Sequence, residues 1–251
     1  MKKIISLSSI LTILLSQTGC IGNNEDKDEK LLSAVINNDT RAVKKLLASG
    51  ANVNAMSEDN ISVFMMAVWL GQQEITSILL TNGAKVDTQD EDGYSALMFA
   101  SHKGYIEIAK MLLAAGADVN ICDNEGYTSL MFASEQGNKD LVHVLLNAKA
   151  NVNAQDKDGK TALREACING HTEVVQLLLS SGADVNSQDK YGRTALMSAS
   201  MNCHTKIVQE LLAKGADVSI KDSEGDTALD GAELNDNTEI INLLKSAGAK
   251  E

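Results

Sequence analysis

An all-α repeat solenoid is the fold class this sequence predicts, and three columns of residues predict it. A Gly-Ala step recurs every 33 residues, at Gly50-Ala51, Gly83-Ala84, Gly116-Ala117, Gly182-Ala183, Gly215-Ala216 and Gly248-Ala249. At the one place where the Gly is missing, Lys149-Ala150 keeps the Ala. An alanine inside a first apolar stretch repeats in the same register from Ala34 to Ala232, and a leucine inside a second repeats from Leu46 to Leu244. Seven matched positions without an insertion describe units that bury their apolar faces only against their neighbours.

The first half of the unit reads DEDGYSALMFAS from Asp90, DNEGYTSLMFAS from Asp123, DKDGKTALREAC from Asp156 and DKYGRTALMSAS from Asp189. Its second half is fullest from Gly170 to Asn186. In these residues the chain resembles the ankyrin-repeat family over roughly residues 30 to 249. The resemblance implies an ankyrin-repeat array in which each unit is a β-hairpin finger, an antiparallel helix pair and a return loop. Two departures from the family pattern stand out. No proline occurs, and Ala96, Ala162, Ala195 and Ala228 hold its usual place at the helix start, where alanine still favours helix. Met65, Met98, Met131 and Met197 stand where the family usually has His.

Taken in order, the chain opens with Lys2-Lys3 and an apolar run from Ile4 to Leu15, twelve residues long. That is short of the roughly 20 needed to span a bilayer but suits an exported leader. It ends in Gln17-Thr18-Gly19-Cys20, which resembles the lipobox of bacterial lipoproteins although Gln17 stands where an aliphatic residue is usual. The expected division is therefore a lipoprotein-type signal peptide over residues 1–19, lipidation at Cys20, a flexible polar tether over 20–29 and a repeat domain over 30–251. The same leader also fits soluble export to the periplasm or beyond the cell. Ile21 after Cys20 favours the outer membrane over retention at the inner one.

Within the repeats, Ser62, Ser95, Thr128, Thr161, Thr194 and Thr227 stand where a hydroxyl can cap each first helix. Asn60 and the Gly two residues before each later capping residue suit a tight finger turn. Acids at Glu74, Glu107, Asp140, Glu173 and Glu239 begin the second helices, favourably for the helix dipole. Lys149 occupies a helix exit that glycine normally takes in the left-handed region, which predicts a soft junction there. The acidic finger column Asp90, Asp123, Asp156, Asp189 and Asp222 is expected to tie neighbouring fingers together. Lys45 at one end and Lys245 at the other take apolar ladder positions, as terminal units with a wet outer face do.

Composition narrows the function. The 251 residues carry a net charge of −12, or −14 once Lys2 and Lys3 are removed with the leader. So acidic a chain argues against nucleic acid and anionic lipid headgroups as partners. Aromatic content of 3% follows from thin layers of Leu, Val, Ile and Ala. His171, His204, Cys167 and Cys203 cluster in sequence, but the two histidines sit at a turn position the family commonly fills with His, so no metal is assigned. Neither a catalytic constellation nor a phosphate loop stands outside the repeat pattern, so neither an enzyme nor a cofactor is expected.

The leading expectation is a non-enzymatic protein-interaction scaffold, exported and lipid-anchored in the cell envelope. A structural envelope lipoprotein without a discrete partner is the alternative. The variable positions form a stripe crossing from aromatic to basic: Tyr94 and Tyr127 on the early fingers, then Lys157, Lys160, Lys190, Tyr191 and Arg193. Trp69, Ile168 and Met201 share one helix column beside it. Tyr, Trp and Arg often anchor interfaces, and the basic half suits an acidic segment of a partner protein.

Overall fold

The computed structural model describes residues 25–57 and 60–250. The leader and Cys20 lie outside the described residues. Among the described residues there are fourteen helices in seven pairs, each pair joined by a short turn that folds it back on itself. In chain order the units are Glu25–Ile36 with Thr40–Ala48, Val63–Trp69 with Gln73–Thr81, Ala96–Lys103 with Ile106–Ala114, and Ser129–Glu135 with Lys139–Asn147. Units five to seven are Ala162–Ile168 with Thr172–Ser180, Ala195–Met201 with Thr205–Ala213, and Ala228–Glu233 with Thr238–Ser246. First helices pack on first helices and second on second, in series along the chain. The array is an all-α repeat solenoid.

The repeated residues explain the stacking. Ala67, Ala100, Ala133, Ala166, Ala199 and Ala232 are fully buried, and so are the leucines from Leu79 to Leu244. The alanine column lets successive first helices approach closely, while the leucines fill the space between pairs. Each capping hydroxyl accepts an N–H in the first turn of its helix, as Ser62 does from Met65 at 3.1 Å. The methionines in the histidine column contribute too. Met98 Sδ and Met197 Sδ lie 3.4 Å from the capping-residue N–H groups of Ser95 and Thr194, and Asp230 takes the corresponding N–H of Thr227 at 2.7 Å.

Three expectations need correction. The fingers are turns more than hairpins: single bridges pair Met56 with Ser62, Gln89 with Ser95 and Cys122 with Thr128. Nor does the aspartate column chiefly link neighbours. Each of these carboxylates accepts N–H groups of its own finger, as Asp123 does from Glu125 at 2.9 Å and Tyr127 at 2.7 Å. Backbone joins the fingers instead, through Asn124 N–H to Asp92 O, Lys157 to Glu125 and Lys190 to Asp158 at 2.8–2.9 Å. That approach makes substitution at Gly126 costly: φ is +84°, and an added Cβ would lie 3.0 Å from Asp156 Cα.

The third correction concerns the tether expected over residues 20–29. Helix begins at Glu25, and Asp28 Oδ1 accepts the Asn52 N–H at 2.8 Å. Asp28 thereby starts a column that the sequence reading passed over. Asn54, Asp87, Asn120, Asn153 and Asn186 each accept an N–H from the next return loop at 2.8–3.1 Å. These bonds stitch unit to unit along the loops that lead into the fingers.

Lys149 does adopt the left-handed conformation, at φ 69°. It keeps the exit bond to Leu146 O at 3.0 Å, so the strain stays in its own backbone. Lys149→Gly is expected to raise stability by about 1 kcal/mol, read as a higher midpoint of thermal or urea unfolding. An unchanged midpoint would show that the Lys side chain compensates.

Candidate protein-binding surface

The finger position before each capping residue decides what this face presents. It is occupied in turn by Ile61, Tyr94, Tyr127, Lys160, Arg193 and Asp226. Five residues later, on the first helix, come Met66, Phe99, Phe132, Glu165, Ser198 and Gly231. The two columns vary together: a large apolar finger residue goes with a large apolar helix residue, and a charged one with a polar or small one. In units two to four this pairing closes the space between finger and helix.

The structure thus overturns the aromatic half of the expected binding stripe. Tyr94 is 6% exposed, parallel to Phe99 at 5.6 Å and close to Phe132 at 5.6 Å. Burial, with Asp123 and Asp92 nearby, pushes its phenol up to about 12. Tyr127 is fully buried, its ring 4.6 Å from Phe132 and its hydroxyl donating to Glu135 Oε2 at 3.1 Å. Burial and the carboxylates of Glu165 and Glu135 raise its pKa further. A tyrosine at this position folds inward because a phenylalanine waits on the helix. Trp69 is half-buried, edge-on to Phe99 at 5.4 Å, with Lys103 Nζ 3.8 Å over its ring.

The basic half is at the surface but tied into ion pairs. Lys157 reaches Glu125 at 3.8 Å. Asp158 is shared by Lys160 at 3.4 Å and Lys190 at 2.6 Å. Asp189 is shared by Arg193 at 3.1 Å and Arg164 at 3.2 Å, and its side chain is completely buried. Tyr191 is 45% exposed, with Lys190 Nζ 4.9 Å and the Arg193 guanidinium 4.6 Å from its ring, a favourable cation–π arrangement.

The helix column supplies apolar area. Ile168 is half-buried, Met201 is 51% exposed and Leu234 is 78% exposed. Leu234 went unnoticed in the sequence, although it continues the column of Trp69, Ile168 and Met201 at the same spacing. The buried Arg164–Asp189 pair left a trace in the sequence, since Arg164-Glu165 stands where units two, three, four and six have Met-Met, Met-Phe or Met-Ser and the last has Asp-Gly. Burial lowers the Arg164 pKa, and Asp189 opposes that shift. Its Nε and Nη1 are buried without a hydrogen-bond partner.

The residues weighed for metal or thiol chemistry have structural employment. His171 Nε2 lies 2.9 Å from Glu135 O and His204 Nε2 3.1 Å from Ile168 O, each fastening a turn to the unit before it. Cys167 is fully buried, and burial pushes its thiol up, away from reactivity. Among the described residues no three His, Cys, Asp or Glu side chains gather in a metal-binding arrangement. An open hollow of about 450 Å³ lies beside the strained exit of unit four, lined by His143, Leu146, Lys149, Leu177 and Ser181 among others.

Serially stacked helix pairs with side chains varying along one face define a repeat-built binding solenoid, a class that in general mediates protein–protein interaction. Comparison with known families matches Ankyrin repeats (3 copies) over residues 31–123, 115–189 and 181–251, and the chain belongs to the ankyrin-repeat family. A comparison with curated proteins gave no match.

Proposed function

We propose that this protein is a non-enzymatic scaffold that holds one partner protein on the finger-and-helix face of units five to seven. The observation that carries this reading is the division of the face. Units three and four fill it with their own Tyr94, Tyr127, Phe99 and Phe132, whereas units six and seven leave Tyr191, Met201 and Leu234 in solvent. Exposed apolar groups beside cations are what an interface covers. Crosslinking in intact cells tests it. A discrete partner caught by the wild-type chain is expected to be lost from a chain carrying both Tyr191→Ala and Met201→Ala, with the circular dichroism spectrum unchanged. Capture that survives both changes would move the site elsewhere, and capture of nothing discrete would favour a structural envelope role.

We also propose that the chain is exported and held by lipid at Cys20 in the cell envelope. This rests on the Lys2-Lys3 start, the apolar run to Leu15 and the Gly19-Cys20 step. Mass analysis of the mature chain is expected to begin at a lipid-modified Cys20, and Cys20→Ser is expected to release the protein from membranes. An unmodified Cys20, or a Cys20→Ser chain still membrane-bound, would reject lipid anchoring.

A further inference from the structure

The surface of units five and six carries a charge pattern unlike the rest of the chain, and it points to the chemistry of what binds there. Net charge is −12 overall. Finger three presents exposed Glu91 and Asp92, and finger seven presents exposed Glu224 and Asp226. Between them, fingers five and six carry four cations, Lys157, Lys160, Lys190 and Arg193, and Asp158 and Asp189 each serve two cations, one of those on Asp189 being the buried Arg164. Asp189 is turned completely inward, and Asp156 accepts the N–H groups of Asp158 and Lys160 from its own finger. Asp158 and Asp189 each divide one negative charge between two cations, so Lys190 and Arg193 are only partly neutralised at the surface.

Those two cations flank the exposed ring of Tyr191. At equivalent ends of the sixth and seventh first helices stand Met201 and Leu234, the latter the most exposed large apolar side chain among the described residues. We infer that the partner segment is acidic and apolar together: a short extended run of Asp or Glu residues with one or two large aliphatic or aromatic side chains. The carboxylates would meet Lys190 and Arg193, and the apolar groups would cover Met201 and Leu234. Units repeat at about 10 Å, as packed helices do, and an extended chain advances about 3.3 Å per residue. Two basic units therefore suit an acidic run of about six residues. The acidic fingers on either side disfavour a longer one. The inference rests on the proposed binding face and adds the chemical class of its ligand.

Selection of a random twelve-residue peptide library on the full chain tests this. Enriched peptides are expected to combine several acids with large apolar residues. Their affinity is expected to fall at least tenfold on Lys190→Glu, and to fall again with added salt. Both Lys190 and Leu234 are exposed, so Lys190→Glu and Leu234→Ser leave the core intact. Neutral or basic peptides that lose affinity on Leu234→Ser would overturn the acidic ligand while keeping the binding face. Acidic peptides indifferent to Lys190→Glu would overturn the assignment of the cations. No enrichment, or enriched peptides indifferent to both Lys190→Glu and Leu234→Ser, would reject the face as well. Two further results would also overturn the inference. One is self-association in sedimentation that Lys190→Glu abolishes, since the acidic groups would then come from a second copy. The other is binding to phosphatidylglycerol vesicles by the unlipidated chain that the same change abolishes.

Discussion

Tyr127→Ala is expected to destabilise the array by about 3–5 kcal/mol, the range for removing a large buried ring. Tyr127 has no exposed surface and packs edge-on against Phe132, which also meets Tyr94 and His102. The substitution therefore opens a void at the centre of a ring cluster shared by units three and four. It also removes the hydroxyl from Glu135 Oε2. A solenoid communicates through neighbours, so hydrogen exchange should accelerate first in those two units and spread outward. Tyr191→Ala is the control. Its ring is 45% exposed, and surface changes of this kind stay within about 0.5 kcal/mol. If the two variants unfold at the same urea concentration, the inward placement of Tyr127 is incorrect.

Asp189→Ala should be comparably severe, by about 3–5 kcal/mol, because it breaks a buried ion pair from one side. Its Oδ1 accepts the N–H groups of Tyr191 and Arg193, each at 2.9 Å. Oδ2 meets Arg193 Nε at 3.1 Å and the guanidinium of Arg164 from the preceding unit at 3.2 Å. Removing the carboxylate strands Arg164, which is 6% exposed and already has two unpartnered nitrogens. It also frees two N–H groups of the finger. Asp189→Asn separates these effects, since the amide oxygen can still accept the backbone bonds while the charge is lost. An intermediate unfolding midpoint for Asp189→Asn is expected. A midpoint equal to that of Asp189→Ala would assign the whole effect to charge, and an unchanged midpoint for Asp189→Ala would mean the ion pair contributes nothing net.

The consequence for experiment is that the tyrosines that carry stability are not the one the proposed face presents. Tyr94 and Tyr127 belong to the core, and Tyr191 to the surface, although all three sit near finger tips. Variants aimed at binding should therefore avoid Tyr127, whose loss would weaken the neighbouring units that support that face.

Much of the molecule followed from the order of its residues alone. A 33-residue period, capping hydroxyls from Ser62 to Thr227 and a glycine at nearly every left-handed exit determine the number of units, their helices and their direction of stacking. These are local or nearest-neighbour effects, repeated identically, so a one-dimensional pattern suffices. The Lys149 exit was legible for the same reason, since only a residue without Cβ avoids strain there.

What a variable side chain does was left to the tertiary structure. The tyrosine ring has an apolar body and a polar tip, so either burial or exposure suits it. Which one occurs depends on what stands across the finger–helix gap: Phe99 and Phe132 draw Tyr94 and Tyr127 inward, whereas Tyr191 stands at 45% exposure between two cations. The same holds for the aspartates. Asp123 and Asp189 occupy one column, yet Asp189 alone of the two has Arg164 and Arg193 ion-paired to its carboxylate. Burial and pairing are properties of a neighbourhood, and in a solenoid half of each neighbourhood belongs to the adjacent unit, 33 residues away.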